Sequence, residues 1–272
     1  MRGTVGLRAG VPAVEALGRA AWALPTVTLP WHPGQGPGTR HVPPDAGFAS
    51  LCDDLARSPH LAGVEGMMTG YLGSPAQANA LLGLIGALRL ANPRAVVLVD
   101  PVIGNERGLY VPVAVATAIR DRLVPLADVV TPNRHELAWL TGTERASGNR
   151  ALARAARTLG APRAVVTSAH AGSGRIGNLM VDDERTALAA HALSAAPNSG
   201  TGDLLATLLL AHLSSARAPE DALRRATASV DMVMRMAADA DLDALPLERA
   251  REALRDPDAG NVTLAEGLHA DA

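Results

Sequence analysis

The segment 198–203 reads Asn-Ser-Gly-Thr-Gly-Asp and runs directly into an apolar stretch, Leu204–Leu213, that is predicted to be helical. Small residues at a helix start leave backbone N–H groups open, and the helix dipole favours an anion there. An aspartate at that point can accept a proton from a substrate hydroxyl while the N–H groups stabilise phosphoryl oxygens. Plain helix capping is the alternative, because Asp and Thr are good caps. Three small loop residues precede Asp203, and this favours an anion hole.

A second group of polar residues follows the most apolar predicted strand. The run 95–100 reads AVVLVD, and Pro101–Asn105 follows it. A continuous apolar run suits a strand that is buried on both faces of a parallel sheet. Asp100 at the end of such a strand can hold a cation or orient phosphates. A cap on the following turn is the alternative for Asp100.

The segments Thr131–Glu136 and Thr167-Ser168 follow two further predicted strands. Asn133 and Glu136 are three residues apart at a predicted helix start, so both can face a metal-bound phosphate. The same spacing is typical of a capping box, and the two interpretations stay open. Thr167 and Ser168 offer hydroxyls to a phosphate or a monovalent ion.

Three strand ends with polar groups and a final helix with Gly-Thr-Gly-Asp together predict a phosphoryl-transfer site. The sequence contains no GxxxxGK[ST] motif, which excludes a P-loop protein. It contains no HExxH motif and no Cys/His cluster, which excludes the usual zinc sites. The histidines at 32, 41 and 170 are scattered, and each is interpreted as a surface or loop residue.

Short β-branched segments alternate with longer helical patterns, and this order predicts an α/β fold with a mostly parallel sheet and helices on both faces. Strands are predicted at 64–69, 95–100, 128–131 and 163–168, with a hairpin beside them at 177–181 and 187–192. Helices are predicted at 74–91, 111–123, 134–140, 149–159, 203–214, 219–238 and 247–254. In such sheets the ligand site lies beyond the carboxyl ends of the strands. The Pro/Gly-rich stretch 30–44 is predicted to be a loop, and the tail after Asp256 to be loosely held.

The composition excludes several classes of protein. Hydrophobic residues make up 48% of the 272 residues and charged residues 19%, which is typical of a globular protein. An aromatic content of 2% and a formal net charge of −2 argue against a nucleic-acid partner. No apolar run is long enough to span a membrane, residues 1–6 lack the apolar core of a signal peptide, and Cys52 is the lone cysteine. We therefore expect a single cytoplasmic domain over residues 1–272.

These motifs resemble those of the pyridoxal kinases, which belong to the ribokinase-like superfamily. Family members carry GYxG, DPVxGD, YVP, VxPLADxxTPNxxExxxLTG, a TS pair and GTGDL in this order. The corresponding segments here are Gly70–Gly73, Asp100–Asn105, Tyr110–Pro112, Val124–Gly142, Thr167-Ser168 and Gly200–Leu204. The resemblance covers nearly the whole chain and implies a ribokinase-like three-layer sandwich. Related hydroxymethylpyrimidine kinases share the final motif but match the middle segment less well.

The resemblance implies a kinase that moves the γ-phosphate of ATP to the 5′-hydroxymethyl group of pyridoxal, pyridoxine or pyridoxamine. Asp203 would be the catalytic base, and the anion hole would consist of Gly200, Thr201 and Gly202. The nucleotide and Mg²⁺ would be held by Asn133, Glu136, Thr167 and Ser168, with Asn105 also near the metal. A monovalent cation such as K⁺ would lie among Asp100, Thr131 and Thr167. Tyr71 would border the pyridoxal ring. Family members are commonly homodimers, and the resemblance implies a homodimer here.

The chain departs from the family pattern in three places. The family's TVQFSNHTGYG corresponds to residues 26–36 here, so Pro33 replaces a threonine that would contact the ring, while His32 is kept and Trp31 offers a stacking surface. The family's DPVxGD ends in Asn105, which removes a carboxylate near Mg²⁺. The family begins with a buried strand before a Gly-x-x-Gly turn, and residues 3–6 align with that turn. We therefore expect the first strand of the fold, and a substrate-contacting serine on it, to be missing from this sequence.

Two alternatives follow from these departures. A kinase for another hydroxymethyl heterocycle, such as hydroxymethylpyrimidine, is favoured by Pro33 and Trp31. A non-catalytic protein that binds a nucleotide or a vitamer is favoured by Asn105 and the missing strand. The presence of Asp203 and of the Gly-Thr-Gly loop argues against the second alternative.

Overall fold

The computed structural model describes residues 2–194 and 199–267 and contains a seven-stranded sheet beside a small two-stranded one. The strands are β1 (Gly66–Thr69), β2 (Val96–Val99), β3 (Gly104–Asn105), β4 (Gly108–Leu109), β5 (Val129–Val130), β6 (Arg163–Ala169), β7 (Arg175–Val181), β8 (Thr186–Ala192) and β9 (Thr263–Glu266). The α-helices are α1 (Leu7–Ala16), α2 (Asp45–Ala56), α3 (Pro75–Ala91), α4 (Val113–Ala118), α5 (Arg134–Thr141), α6 (Asn149–Arg157), α7 (Thr201–Ser214), α8 (Pro219–Asp239) and α9 (Arg251–Arg255).

The large sheet has the strand order β1-β2-β5-β6-β7-β8-β9. The first four strands are parallel to one another, and the last three continue the sheet in antiparallel pairs. Since β8 returns to the direction of β6, five of the seven strands point the same way. This confirms the predicted mostly parallel sheet and the predicted hairpin of β7 and β8.

Helices cover both faces of the sheet, because successive residues of its central strands face two different cores. In β2, Val97 and Val99 belong to the core that contains α3, α5 and α6, whereas Leu98 belongs to the core that contains α1, α7 and α8. All three side chains are fully buried. The unbroken apolar run in the sequence therefore comes from a strand with a helical layer on each side, and the predicted three-layer architecture is confirmed.

One edge of the large sheet is formed by β1. It pairs with β2, and within the described ranges no strand pairs with its other side. Along this edge Met67 and Met68 are half-buried, and the hydroxyl of Thr69 is buried without a hydrogen-bond partner. The resemblance to the pyridoxal kinases implies one further strand, and the unpaired side of β1 is an edge where such a strand could pair.

The structure corrects three element predictions. The tail after Asp256 is not loosely held throughout, because β9 forms the far edge of the sheet against β8. The helix predicted at 247–254 is shorter, and α9 begins only at Arg251. The helix predicted at 111–123 is α4 followed by a π-helical turn, Ile119–Leu123. Among the described helices, none has the length and apolarity that a membrane span requires.

Candidate active site

Polar side chains meet where β2, β5 and β6 end, as the sequence predicts. Asp100 follows β2 and Thr131 follows β5, and the Thr131 hydroxyl donates a hydrogen bond of 3.0 Å to Asp100 Oδ1 in a buried setting. Asn133 and Thr167 form an isolated parallel bridge, with the Thr167 N–H 2.9 Å from the Pro132 carbonyl oxygen. The parallel arrangement of β2, β5 and β6 therefore brings three separate sequence motifs together at the carboxyl ends of these strands.

Thr167 and Ser168 lie at an irregularity in β6. The register of β6 against β7 shifts between Val166 and Ala169, and Ser168 has a positive φ of 55°. A serine in this left-handed conformation is uncommon, and such strain often occurs at binding sites. Both residues are half-buried.

Glu136 is buried, and both of its carboxylate oxygens already accept backbone hydrogen bonds. Oε1 accepts from the N–H groups of Ile103 (2.9 Å) and Gly104 (3.3 Å), and Oε2 accepts from the N–H of Asn133 (2.9 Å). The Asn133 side chain in turn accepts from the N–H of Glu136, which completes a capping box at the start of α5. The capping interpretation that the sequence left open is thus correct, and Glu136 also fixes the loop after β2.

The loop after β2 carries a second strained residue. Val102 has a φ of 44°, a conformation that a β-branched side chain rarely adopts. The next two N–H groups are the ones that point at Glu136. The strain is therefore stored where the loop turns its amides toward a buried carboxylate.

The start of α7 is built around Gly200. Gly200 has a φ of 88°, and a Cβ atom at this position would lie 1.8 Å from the Thr4 carbonyl oxygen. Only glycine permits this close approach. Thr201 is the first residue of α7, Gly202 is exposed in its first turn, and Asp203 follows. The structure thus provides the predicted helix start, while Asn198 of the same motif lies outside the described residues.

Asp203 lies under the N-terminal turn of the chain. Its carboxylate accepts a hydrogen bond from the Gly6 N–H and interacts electrostatically with the nearby His32 ring. Both interactions lower the pKa of Asp203. Burial raises the pKa of Asp203 more strongly, so the net shift is upward. The contribution of Gly6 is not predictable from the GTGD motif, because it depends on a contact between distant parts of the chain.

Asp203 also influences two other carboxyl groups. The pKa of Asp100 is raised well above its usual range by burial first and then by the charges of Glu136 and Asp203. The pKa of Glu136 is raised to about 7 by burial, and Asp203 again contributes, although the three backbone hydrogen bonds oppose the shift. Carboxyl groups from three segments of the chain therefore converge. Glu136 and Asp203 destabilise the ionised form of Asp100, and Asp203 destabilises that of Glu136.

Tyr110 belongs to the same cluster and was not singled out as a site residue from the sequence. The β3–β4 hairpin carries it, and its N–H bonds to the Ile103 carbonyl oxygen at 3.0 Å. Burial, followed by the charges of Glu136, Asp100 and Asp203 and by Tyr71, raises the pKa of its phenol. The YVP motif in the sequence was the available signal for this residue.

The proposed substrate side is more open. Tyr71 is half-buried, and its carbonyl oxygen accepts a hydrogen bond of 2.6 Å from the Thr26 hydroxyl. His32 caps a short 3-10 turn, with its Nδ1 accepting from the Gly34 N–H at 3.1 Å. The Trp31 indole N–H donates to the Gly36 carbonyl oxygen at 3.1 Å, so this exposed ring folds over its own loop. The loop prediction for 30–44 is confirmed.

Asn105 occupies a different setting from the buried carboxyl groups. It is exposed in the β3–β4 turn, and its side-chain oxygen accepts a hydrogen bond of 2.9 Å from the Arg107 N–H. Among the described residues, no hydrogen bond joins its side chain to Asp100 or Glu136. In this structure the Asn105 side chain thus makes a local turn contact rather than a contact with the buried carboxyl groups.

The donor set fits a cation that arrives with a nucleotide better than a resident metal. Within residues 2–194 and 199–267, no three His, Cys, Asp or Glu side chains are grouped so that they could hold a metal ion. Mg²⁺ needs only one or two carboxylates when phosphate oxygens and waters supply its other ligands. Asp100 and Glu136 suit that situation, because a nearby cation would stabilise the ionised forms that burial and, to a smaller extent, neighbouring charges disfavour.

Comparison with known proteins agrees with this geometry. The profile of the phosphomethylpyrimidine kinase family matches residues 48–248. A pyridoxal kinase of Granulibacter bethesdensis is 33% identical over 88% of this chain and 87% of its own length. A pyridoxine/pyridoxal/pyridoxamine kinase of Bordetella bronchiseptica is 38% identical over 84% of this chain and 83% of its own length.

A solved structure has the same fold. The pyridoxal kinase of Leishmania donovani in complex with ADP superposes with a TM-score of 0.90 at 21% identity, covering 98% of this chain and 96% of that one. The family profile spans most of the chain and the sequence relatives exceed 30% identity over most of their length. The chain therefore belongs to the phosphomethylpyrimidine kinase family and, within it, to the pyridoxal kinases.

Proposed function

We propose that this protein is an ATP-dependent kinase of the 5′-hydroxymethyl group of pyridoxal, pyridoxine or pyridoxamine. The observation that carries the proposal is the convergence of Asp203, at the glycine-rich start of α7, with the buried carboxyl groups of Asp100 and Glu136. Phosphoryl transfer depends on positioning and on charge stabilisation, and this arrangement suits both.

In the proposed reaction Asp203 accepts the proton of the acceptor hydroxyl. The acceptor oxygen then forms a bond to the γ-phosphorus, and the bond from that phosphorus to the bridging oxygen of the β-phosphate breaks, so that ADP leaves. The backbone N–H groups of Gly200, Thr201 and Gly202 at the positive end of α7 stabilise the phosphoryl oxygens. The raised pKa of Asp203 makes its carboxylate a stronger base than an exposed aspartate.

Asn133, Thr167 and Ser168 are proposed to contact the nucleotide, because they line the strand ends next to Asp100. A Mg²⁺ ion bound with the nucleotide would be held near Asp100, Glu136 and, after a local change, Asn105, and it would neutralise phosphate charge. Asp100, Thr131 and Thr167 are proposed to surround a monovalent cation such as K⁺. Tyr71 would border the acceptor ring, with His32 and Trp31 on the facing loop. A cytoplasmic homodimer is proposed on the family resemblance, and sedimentation analysis tests the dimer.

The test is ATP-dependent phosphorylation of pyridoxal with Mg²⁺ and K⁺, measured as formation of both ADP and the phosphorylated product, in the protein and in Asp203→Ala. We expect turnover in the protein and its near-complete loss in the variant. ATP binding by a folded protein without turnover of any vitamer would contradict the proposal.

A second candidate is a kinase for another hydroxymethyl heterocycle. The family profile is named for phosphomethylpyrimidine, and Pro33 offers neither a hydroxyl nor an N–H to a pyridoxal ring. Including 4-amino-5-hydroxymethyl-2-methylpyrimidine in the same assay separates the two candidates by their relative kcat/KM. Binding of ATP and vitamers without turnover of either heterocycle would support the non-catalytic alternative that Asn105 suggests.

A further inference from the structure

Arg40 brings a guanidinium group to the ring of Tyr71. Its Cζ atom lies 5.7 Å from the ring centroid, and its Nη2 atom lies 3.4 Å from both the Tyr71 hydroxyl oxygen and the Gly73 carbonyl oxygen. Contact with an aromatic face is favourable for a guanidinium and fixes its plane. Arg40 is exposed, so several of its N–H donors remain available to a ligand.

Other contacts tie the Arg40 segment to the Tyr71 segment. Next to Arg40, His41 pairs with Thr28 through two backbone hydrogen bonds of 2.8 and 3.0 Å. The fully buried Gln77 accepts from the Gly73 N–H and donates to the Thr26 carbonyl oxygen, both at 2.7 Å. These hydrogen bonds therefore fix the position of the segment that carries Arg40 relative to the segment that carries Tyr71.

The guanidinium lies on the acceptor side of an otherwise acidic site. The Tyr71 hydroxyl belongs to a half-buried side chain that is proposed to border the acceptor ring. Arg40 contacts that same hydroxyl. A positive group at this rim favours an acceptor that presents a negatively charged oxygen, and it supplies hydrogen-bond donors on a loop where Pro33 supplies none.

We propose that Arg40 is a specificity-determining residue that recognises the ring hydroxyl of a 3-hydroxypyridine acceptor in its ionised form. The inference rests on the proposed kinase function and names the acceptor class of that same site. In B6 vitamers the protonated ring nitrogen makes the neighbouring ring hydroxyl acidic, so it ionises to an oxyanion that a guanidinium can bind. An aminopyrimidine presents N–H donors instead, and donors facing donors leave both unpaired.

The experiment compares pyridoxine with its 3-deoxy analogue, which keeps the hydroxymethyl group that is phosphorylated. We expect kcat/KM to favour pyridoxine by about 10- to 100-fold, the size of one hydrogen bond to a charged group. In Arg40→Met this preference should fall to within about 3-fold, because only pyridoxine loses an interaction. The value for the deoxy analogue should stay nearly unchanged. Arg40→Lys should retain part of the preference, because it keeps the charge without the planar fork.

The matched control is Arg57→Met, which removes an exposed arginine at the end of α2 and should leave the preference intact. An Arg40→Met variant that lowers kcat/KM equally for both acceptors, or for neither, would overturn the inference while the kinase function stands. If no acceptor is turned over, the proposed function fails, and equilibrium binding of pyridoxine and the deoxy analogue still decides the role of Arg40. Equal affinities in the unmodified protein would then reject it.

Discussion

The two sides of the site are held in different ways. On the phosphoryl-transfer side, Glu136 is buried with three backbone donors, and Gly200 lies against the Thr4 carbonyl oxygen. On the proposed substrate side, where the acceptor would bind, Trp31 and Arg40 are exposed. The loop 30–44 that carries them has only short turns and one isolated bridge. The transfer side carries the family's motifs almost unchanged, whereas the acceptor side departs from them. We infer that the chemistry is fixed by a buried framework and that the choice of acceptor is left to an adaptable loop.

Asp203→Asn tests the difference between the two sides with the largest expected effect. The change keeps the shape of the side chain and removes the base, so we expect kcat to fall by about 10³-fold, with the KM for ATP changed less than about 3-fold. On the loop, Trp31→Ala should lower kcat/KM by less than about 10-fold, mainly through the acceptor KM. Steady-state measurement of ADP release checks both variants. Equal losses of kcat in the two would contradict the division between the sides.

Gly200→Ala tests whether the close approach at the start of α7 positions the anion hole. The added methyl group would collide with the Thr4 carbonyl oxygen, and the positive φ would be strained. We expect kcat to fall by about 100-fold, as when an oxyanion donor is displaced, and the melting temperature to fall as well. Gly83→Ala in the middle of α3 is the control, because a Cβ atom there meets nothing within 4 Å. Unchanged kcat in Gly200→Ala would show that the turn tolerates a side chain.

The buried carboxyl groups make the stability of the ligand-free protein depend on pH. The folded-state pKa of Glu136 is raised from 4.5 to about 7, so the folded state holds this proton more tightly than the unfolded chain. The free energy of unfolding should therefore decrease as pH rises from about 4.5 to about 7. Asp100 and Asp203 are shifted in the same direction and add to the slope.

Glu136→Gln should flatten this dependence by on the order of 1–3 kcal/mol over that pH range, because an amide cannot lose the proton. Urea unfolding at several pH values measures it. Glu15→Gln, on the exposed face of α1, is the control and should leave the slope unchanged. A slope that is the same in Glu136→Gln and in the unmodified protein would mean that Glu136 is already ionised across this range.

Pro33→Thr should have the smallest effect and would sharpen the view of the loop as adaptable. It restores a hydroxyl in the 3-10 turn beside His32, and we expect the KM for pyridoxal to fall by about 2- to 5-fold without a change in kcat. The KM for ATP serves as the internal reference. A large change in kcat would mean that the loop takes part in the transfer step.

Much of the fold was predictable because periodic apolar patterns mark its central elements. The run before Asp100 predicted β2, and the capping pair Asn133 and Glu136 marked the start of α5. Five of the described strands and helices were not predicted, and two of them are the short strands β3 and β4. The α1 segment contains Pro12 and packs through small residues, α2 buries only Phe48 and Cys52, and β9 exists through its pairing with β8. Local sequence patterns do not contain such tertiary information.

The sequence predicted which residues form the candidate site, but not which of them interact with one another. The sequence indicated Asp100, Glu136 and Asp203 separately, and only the structure brings their charges together. It left open whether Glu136 faces a metal-bound phosphate or caps a helix. The backbone hydrogen bonds show that it caps α5, and its place near Mg²⁺ is a proposal. The Gly6 donor to Asp203 joins positions almost 200 residues apart, a contact that no local motif encodes.

The N-terminal turn has a practical consequence for producing the protein. Gly6 donates to Asp203, Thr4 lies against Gly200, and the Thr4 hydroxyl accepts from the Leu245 N–H at 3.0 Å. A purification tag fused in front of Arg2 would therefore begin only a few residues along the chain from Gly6, which contacts Asp203. The other end is better suited, because β9 runs opposite to the parallel strands and Gly267 reaches the edge of the sheet remote from the site. A carboxy-terminal tag is the safer choice for every assay described above.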